Sequence, residues 1–335
     1  MRECRSSAVG TPERTTMRGQ QTMMIDVRKS LILAPRRSRE QHRRTLVLID
    51  FRVQPPYRSF LDIYFYRPRP RSPDPLKITQ YELGRVNSPS FDARSAELFV
   101  EEMDELGVDV AVIMGQQSAA TWGSVDNAHI AELADRYPGR FVGFAGVDAH
   151  DADGVGEIRR SVEELGCRGI SLLPGWSDPP LHDDDPRVFP LYEAALELGV
   201  PVVVTSSHVI GPDMSFAMPE YLQRVALAYP ELTLVVGHAC WPWTAQACAL
   251  AARCHNVYLM PEFYMYVAGM PGARDYIDAA NGFLSHRMLY SSCFPTRSLH
   301  QALDDFAALP LSEDTRERLR WRNAARLLGL PVAAS

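Results

Sequence analysis

His238 directly follows an apolar run that predicts a buried strand. Residues 232–236 are leucine, threonine and valine, and Gly237 separates this run from His238. In a parallel α/β protein, catalytic side chains collect at the carboxyl ends of the strands. An imidazole placed there can accept or release a proton near neutral pH. It can equally form a hydrogen bond to a neighbouring backbone group. A catalytic role for His238 therefore depends on which side chains lie at the other strand ends.

Other apolar runs also end in polar or reactive side chains. If all the strands are parallel, their carboxyl ends face one mouth, and these side chains converge there. The additional candidates are Arg52, Gln54, Gln116, Asp148, Trp176, Thr205, His208, Glu262 and Cys293. The sequence therefore predicts a single polar site that includes His238.

Three of these residues are candidate catalytic groups. His238 is the first candidate proton carrier, and His208, on the loop after the strand that ends at Thr205, is the second. Cys293 could act as a nucleophile beside His238 if the imidazolium or Arg52 stabilised its thiolate. A buried cysteine is more commonly a small apolar side chain, so both interpretations of Cys293 stay open.

The remaining candidates suit substrate binding. Arg52 can hold a carboxylate through two parallel N–H donors, although a salt bridge to Asp148 or Glu262 is the alternative. Aromatic side chains could form a wall for a planar substrate, or they could pack the rim. The predicted substrate-binding residues are Arg52, Gln54, Tyr57, Trp176, Thr205, Trp241 and Glu262, and the further aromatic candidates are Tyr64, Trp243, Tyr264 and Tyr266.

Strands and helices alternate along the chain from residue 46, and this alternation is what would position the site. Residues 96–106 show apolar positions at helical spacing, and short β-branched runs follow this helix and the later ones. Counting gives eight strands, the first at 46–50 and the last at 288–291, which must be parallel with right-handed crossovers. We therefore predict an α/β fold, a closed (β/α)8 TIM barrel. An open doubly wound sheet is the alternative, but no Gly-x-Gly-x-x-Gly pattern follows the first strand.

Two segments depart from the alternating pattern. Residues 1–45 carry eleven arginine or lysine residues against four acids, and we predict a disordered basic extension. The segment from residue 55 to about residue 89 is rich in proline and aromatic residues, so we predict a long loop after the first strand. The predicted domains are therefore the extension, 1–45, and a barrel domain, 46–330.

Composition excludes several classes of partner. The net charge of −6 becomes −13 once the basic extension is set aside, and an acidic body repels nucleic acid. No apolar run is long enough to cross a bilayer. The six cysteines lack CxxC spacing and no secretory leader precedes them, so we expect reduced thiols in a cytoplasmic protein. The expected partner is a small-molecule substrate, and a homo-oligomer is compatible with the sequence.

Six short segments, taken in order, resemble a known family. They are RFVGFAGVD at 140–148, GCRGI at 166–170, PLYEAA at 190–195, GVPV at 199–202, GH at 237–238 and NAARLLGL at 323–330. Their order and spacing resemble the amidohydrolase superfamily, specifically the amidohydrolase-related branch that includes aminocarboxymuconate-semialdehyde decarboxylase and other aromatic-acid decarboxylases. The resemblance covers roughly residues 46–330 and implies a barrel enzyme.

The resemblance also implies a divalent metal, commonly zinc, but this chain lacks most of the ligands. The family's His-x-His pair falls on Arg52 and Gln54, its fifth-strand histidine on Thr205 and its eighth-strand aspartate on Cys293, and only His238 matches. Arginine cannot ligate a cation, and glutamine and threonine are poor zinc ligands. We therefore predict no metal cofactor. The alternative is zinc in a rebuilt site, whose ligands would be His208, His238, Glu262 and Cys293.

The function implied by the resemblance is a decarboxylase or hydrolase acting on a small carboxylated compound, aromatic or unsaturated. Decarboxylation is easier to retain without a metal, because protonating a carbon needs no activated water, whereas hydrolysis needs a replacement for metal-bound hydroxide. Two alternatives stay open. One is a metal-free lyase or cyclase in a biosynthetic pathway, and the other is a non-catalytic barrel that binds a ligand.

Overall fold

The computed structural model describes residues 48–67 and 85–330. The predicted basic extension and the middle of the predicted proline-rich loop lie outside these residues. Of that loop, the part up to residue 67 contains a 3-10 helix, Arg58–Asp62. Within the described ranges, no helix has the length and apolar character needed to span a membrane.

Seven parallel strands form one sheet in which each strand pairs with the next in the sequence. Helices cover the outside of the sheet, as the alternating pattern predicts. The strands are β1 (Ile49–Val53), β2 (Val110–Met114), β3 (Phe141–Gly146), β4 (Ile170–Leu172), β5 (Val202–Ser207), β6 (Leu234–Trp241) and β7 (Val257–Met260). The predicted TIM-barrel fold is confirmed.

Twelve α-helices lie within the described residues, and α2 has the bounds that the sequence predicts. In α2 the Ser95 hydroxyl caps the first turn by accepting from Leu98 N at 3.2 Å, and Gly107 ends the helix with φ 72°. The first six helices are α1 (Pro89–Ala93), α2 (Ala96–Leu106), α3 (Asn127–Arg136), α4 (Gly154–Glu163), α5 (Phe189–Glu197) and α6 (Pro219–Ala228). The others are α7 (Thr244–Arg253), α8 (Phe263–Tyr266), α9 (Ala273–Asn281), α10 (Leu299–Ala307), α11 (Glu313–Glu317) and α12 (Asn323–Leu328), with a π-helical turn, Arg318–Arg322, before α12.

The eighth position of the barrel holds an irregular segment where a regular strand was predicted. Leu289 N donates to Leu259 O of β7 at 3.0 Å, and Phe51 N of β1 donates to Tyr290 O at 3.1 Å. The ladder is interrupted there because side chains take the next amides: Ser291 N donates to the Tyr266 hydroxyl and Ser292 N to the Asp50 carboxylate. It resumes where Gln54 N donates to Phe294 O at 2.9 Å. Residues 288–294 therefore join β7 to β1 and close the sheet with few ladder hydrogen bonds.

Two apolar clusters hold the barrel together. The larger one lies between the strands and the surrounding helices. The smaller one takes alternate residues of the strands, such as Phe51, Val112 and Phe144, and is the barrel interior. Trp321 and Leu328 near the carboxyl terminus pack against this interior cluster. Both clusters consist of buried side chains, and protein interiors of this kind are closely packed, so the strand ends are held on a rigid support.

Candidate active site

Strand β6 carries His238 on a bulge. Thr205 pairs with Gly237 and Ser207 with Trp241, so a single β5 residue lies opposite His238, Ala239 and Cys240. All three bulged residues have positive φ, between 47° and 62°. A bulge re-aims a side chain that the regular pleat would direct elsewhere. The strand therefore continues past the predicted end, and His238 takes a direction that periodicity alone does not give.

Glu262 and Cys293 share this unusual backbone conformation. Glu262 lies two residues beyond β7 with φ 59°, and Cys293 lies in the closing segment with φ 56°. Residues with a Cβ rarely adopt this backbone region, and holding one residue there costs on the order of 1–3 kcal/mol of folding free energy. Strained backbone conformations of this kind are found mainly at functional sites, where the surrounding structure holds them in place.

The side chains of His238, Glu262 and Cys293 meet at the mouth of the barrel. One ligand-type atom from each lies within 4.8 Å of the other two, and all three residues are buried. His238 Nδ1 contacts Glu262 Oε2, and Arg52 Nη1 lies 3.5 Å from Glu262 Oε1. The Arg52 and His238 side chains each retain 7% exposure, whereas Glu262 has none. The Glu262 carboxylate thus lies buried beneath the Arg52 and His238 side chains, which reach the mouth.

The charges of this group depend on one another. Burial alone would raise the pKa of Glu262, but His238 and Arg52 reverse this, and the pKa falls below its usual value. Burial lowers the pKa of His238, Glu262 opposes that change, and Arg52 adds to it. Glu262 is therefore a carboxylate at neutral pH, and its contact with Nδ1 leaves Nε2 as the His238 nitrogen that can serve a substrate.

Cys293 is a hydrogen-bonded thiol. Burial and the nearby Glu262 carboxylate raise its pKa well above the usual value, and the thiol is hydrogen-bonded to Glu262. Neither Arg52 nor His238 stabilises a thiolate enough to overcome these effects. The structure therefore does not favour the nucleophilic role considered for Cys293 from the sequence.

Gly237 makes room for the Arg52 guanidinium. A Cβ at position 237 would lie 2.7 Å from Arg52 Nη1 and 3.3 Å from Thr205 Oγ1. Thr205 Oγ1 and Arg52 Nη1 are buried and have no hydrogen-bond partner of good geometry within the described residues. The sequence allowed two roles for Arg52, and the structure contains the ion pair with Glu262. Because Arg52 Nη1 still lacks a hydrogen-bond partner of good geometry among the described residues, Arg52 could also bind a substrate.

Asp50 lies beneath the site and was not identified from the sequence. Its Oδ1 accepts from Ser292 N at 2.9 Å and from Arg52 N at 3.3 Å. Burial raises its pKa from 3.8 to about 7, although the Ser292 hydrogen bonds act in the other direction. The only signal in the sequence is that an acid ends the apolar run 46–49. Asp50 holds the backbones that carry Arg52 and Cys293.

His208 lies beside this group at the aromatic edge of the mouth. The Tyr264 hydroxyl is 3.3 Å from His208 Nδ1, and Tyr264 stacks on Trp241 at 5.0 Å. His208 is half-buried, and burial together with His238 lowers its pKa. Its ring nitrogens are not among the ligand-type atoms that cluster with Glu262 and Cys293. The sequence-predicted metal set is therefore assembled in three of its four members.

The other predicted substrate-binding residues have structural partners. Gln54 Nε2 donates to Gln116 Oε1 at 3.2 Å, so its amide links β1 to the end of β2. Trp176 stacks on Trp122 at 4.3 Å and donates to Val209 O. The Tyr57 hydroxyl accepts from Arg58 Nε at 3.2 Å. These contacts are those expected of rim packing, and substrate binding by these residues stays a prediction.

Tyr266 also has a packing role. It is buried, stacks on Tyr290 at 5.8 Å, and its hydroxyl accepts from Ser291 N. Trp243 donates to Met214 O at 3.4 Å on the loop after β5, and Tyr64 packs edge-on against Trp122. Of the predicted aromatic residues, Trp241 and Tyr264 contact His208, and Tyr264 also contacts His238. Phe263, which was not predicted, lies equally close to His238, at 5.5 Å between ring centroids.

A divalent ion held by His238, Glu262 and Cys293 would lie close to the Arg52 guanidinium. His238, Glu262 and Cys293 are chemically suitable zinc ligands. However, Nη1 lies 3.5 Å from Oε1, so a zinc ion on Oε1 would be within about 5.6 Å of the guanidinium. At that separation the repulsion is about 6 kcal/mol for an effective dielectric constant of about 20. This repulsion opposes metal binding as long as Arg52 pairs with Glu262.

Comparison with known proteins gives one family and several relatives. The sequence profile of a family described as Amidohydrolase matches residues 84–330. A gamma-resorcylate decarboxylase of Polaromonas sp. (strain JS666) is 25% identical over 283 residues, which are 69% of this chain and 86% of the relative.

Two solved structures share the fold. An uncharacterised TIM-barrel protein from Bordetella bronchiseptica is 33% identical with a TM-score of 0.75, over 84% of this chain and 98% of that protein. A dihydroxybenzoic acid decarboxylase from Polaromonas sp. JS666, solved with manganese and 2-nitroresorcinol, is 20% identical with a TM-score of 0.55, over 75% of this chain and 94% of that protein. The second likeness concerns the fold alone.

Proposed function

This chain belongs to the amidohydrolase family, and we propose from that premise that it is a carboxy-lyase that removes CO2 from a small aromatic carboxylic acid. The observation that carries the proposal is the arrangement of His238 and Arg52 above the buried Glu262 carboxylate. A proton carrier and a fixed cation at one mouth suit an anionic substrate that must be protonated on carbon. Relatives named as gamma-resorcylate decarboxylases support this reaction class.

In this proposal His238 supplies the proton. Glu262 contacts Nδ1, orients the ring and favours the imidazolium, so Nε2 carries the proton that is transferred. The proton adds to the ring carbon that bears the carboxylate. The carbon–carbon bond then breaks, its electron pair stays on the ring and restores aromaticity, and CO2 leaves. The substrate needs a group such as a ring hydroxyl to delocalise charge during the first step.

Arg52 orients the substrate in this account. Its guanidinium carries five N–H donors, and Glu262 faces Nη1 at a distance of 3.5 Å, which is long for a charge-assisted hydrogen bond. A substrate carboxylate or phenolate can therefore share the guanidinium with Glu262. The positive charge also offsets the repulsion between Glu262 and an incoming anion.

Trp241 and Tyr264 supply an aromatic edge for a planar ring. They stack on each other at 5.0 Å, and each also contacts His208 edge-on. A substrate ring beside them would gain apolar contact close to the His238 proton. We propose His208 as a second polar contact at this edge.

The proposed reaction uses no metal ion. Arg52 supplies positive charge where a divalent ion would otherwise act, and no water needs to be activated. Zinc held by His208, His238, Glu262 and Cys293 is the rival arrangement, and it would require Arg52 to leave Glu262. We further propose that the protein lies in the cytoplasm and that its partner there is a small-molecule substrate.

The test is CO2 release from a panel of aromatic acids. Gamma-resorcylate and 5-carboxyvanillate carry ring hydroxyl groups, and benzoate is the control without one. We expect turnover of at least one hydroxylated acid and none of benzoate. His238→Ala should lower kcat by about 10²–10⁴-fold, and Arg52→Ala should chiefly raise KM.

Matched surface variants control for general effects of these substitutions. His300→Ala and Arg274→Ala alter side chains that are 72% and 74% exposed, and both should leave turnover unchanged. Unchanged turnover in folded His238→Ala protein would refute the assigned site. Ligand binding without CO2 release across the whole panel would favour a non-catalytic barrel or another lyase reaction.

A further inference from the structure

We propose that His238, Glu262 and Cys293 form a latent three-ligand zinc site that the Arg52 guanidinium keeps closed. Removal of that guanidinium is expected to open the site to zinc. The inference concerns binding alone, so it does not depend on the reaction proposed above. It identifies Arg52 as the residue that decides whether this barrel mouth holds a metal ion.

The ligands are already assembled. One atom each from His238, Glu262 and Cys293 lies within 4.8 Å of the other two, a spacing that allows one ion to contact all three. Imidazole, carboxylate and thiolate are the groups that zinc prefers, and three protein ligands with one open position is an ordinary catalytic zinc arrangement. When zinc binds, the Cys293 thiol loses its proton to solvent and the thiolate coordinates the ion.

The ligand atoms mainly contact one another. Glu262 lies against His238 Nδ1 and Arg52 Nη1, and the Cys293 thiol is hydrogen-bonded to it. Among the described residues, the Glu262 oxygens and His238 Nδ1 have no further hydrogen-bond partner of good geometry. These buried polar atoms can therefore still accept an additional partner.

The backbone holds these ligands whether or not a metal is present. His238, Glu262 and Cys293 all have φ between 56° and 62°, a region that the fold must enforce. The ligand directions are therefore set by strand β6, the end of β7 and the closing segment. Arg52 comes from a fourth element, β1, so replacing its side chain leaves the backbone segments that carry the three ligands in place.

Arg52 closes the site by charge and by position. Its Nη1 is 3.5 Å from Glu262 Oε1 and 2.7 Å from the position that a Cβ on Gly237 would take. A cation on Glu262 would meet a fixed positive charge that cannot be neutralised by deprotonation. A neutral residue at position 52 removes this repulsion and leaves Glu262 without its cation.

The experiment is a titration with Zn²⁺ and Co²⁺ of the full chain with Arg52→Ala, alongside the wild-type protein. We expect Arg52→Ala to bind one zinc ion at least about 100-fold more tightly than the wild type. Bound cobalt should show the near-ultraviolet charge-transfer band of a thiolate ligand. Zinc should also raise the melting temperature of Arg52→Ala, because it restores positive charge beside Glu262.

Two further variants separate charge from ligand identity. Arg52→Lys keeps the charge and should bind no more zinc than the wild type. Cys293→Ala in the Arg52→Ala background should lose the thiolate band. If Arg52→Ala does not fold, Arg52→Gln removes the charge and keeps a donor for Glu262, and circular dichroism establishes which variant is folded.

Each outcome decides the inference. Stoichiometric zinc binding by the wild type would overturn it, because Arg52 would then not close the site. A folded Arg52→Ala or Arg52→Gln protein that binds no zinc would overturn it as well. So would a thiolate band that persists without Cys293. None of these readouts requires turnover, so failure of the proposed decarboxylation would leave them unaffected.

Discussion

Arg52 and Glu262 form an ion pair inside the barrel mouth, with Nη1 3.5 Å from Oε1 and side-chain exposures of 7% and 0%. The other carboxylate oxygen contacts His238. One buried carboxylate therefore sets both the position of a fixed cation and the protonation of an imidazole. Breaking a buried pair by removing one partner typically costs about 3–5 kcal/mol, since the remaining charge loses its compensation. A change to any one of these three side chains should therefore alter the other two.

Turnover should fall as pH rises, because His238 must be protonated to act. Burial lowers the pKa of His238 below 6.5, so the midpoint of the decline in kcat/KM should lie below that pH. Glu262 favours the imidazolium, so Glu262→Gln should move the midpoint to lower pH. Arg52 disfavours it, so Arg52→Gln should move the midpoint to higher pH. The measurement is kcat/KM between pH 4.5 and pH 8, and shifts of the opposite sign would contradict this account.

Gly237→Ala should disturb the site through Arg52. The added methyl group would lie 2.7 Å from Nη1, which must shift and weaken the pair with Glu262. We expect a loss of stability of about 1–3 kcal/mol and a rise in KM. A double-mutant cycle with Arg52→Ala is the control. Most of the Gly237→Ala effect should disappear when the guanidinium is absent, whereas additive effects would show that the clash lies elsewhere.

Asp50→Asn should flatten the pH dependence of stability. Burial raises the pKa of Asp50 from 3.8 to about 7, so between these values the unfolded chain is ionised there and the folded protein is not. Asp50 therefore favours folding at low pH, and this contribution declines as pH rises towards 7. From pH 5 to pH 7 the free energy of unfolding should fall by about 2–3 kcal/mol on this account.

Urea unfolding at several pH values measures this effect. In the Asp50→Asn protein the side-chain amide oxygen would still accept from Ser292 N and Arg52 N, so the substitution removes the ionisation and retains these hydrogen bonds. Asp278→Asn, at a side chain that is 58% exposed, is the matched control and should keep the wild-type pH dependence. Identical profiles for wild type and Asp50→Asn would refute the assignment.

Cys293→Ala should retain most of its turnover. Burial and Glu262 raise the pKa of the thiol, so we expect Cys293 to stay protonated at neutral pH and not to act as a nucleophile. We expect less than about a tenfold change in kcat, whereas losing a covalent nucleophile costs many orders of magnitude. Cys248→Ala, at another buried thiol, controls for the loss of volume. Loss of all turnover in folded Cys293→Ala protein would restore the nucleophilic interpretation.

The regular part of the fold could be predicted from the sequence because it depends on local patterns. The apolar spacing of 96–106 and the glycine that follows predict helix α2, and the structure has Ala96–Leu106. The eighth strand could not be predicted as an irregular segment. The Tyr266 hydroxyl and the Asp50 carboxylate take the amides of Ser291 and Ser292, and these contacts join residues far apart in the sequence.

The site was predictable in membership and only partly in geometry. Strand ends alone give Arg52, His238, Glu262 and Cys293, which the structure brings together. The bulge that directs His238 depends on the register between β5 and β6, which a single sequence does not encode locally. Asp50 was missed because a polar residue follows the apolar run at many strand ends, so nothing in the sequence singles out this one.

The most direct test of the central claim is CO2 release by protein that has been freed of metal. Chelator-treated wild-type protein is given a ¹³C-carboxyl-labelled hydroxybenzoate, and ¹³CO2 is followed beside His238→Gln protein. This account predicts that the wild type releases ¹³CO2 at the same rate before and after chelation, and that His238→Gln releases it at least about 100-fold more slowly. Release that returns only when zinc or manganese is added, or an equal rate in folded His238→Gln protein, would contradict it.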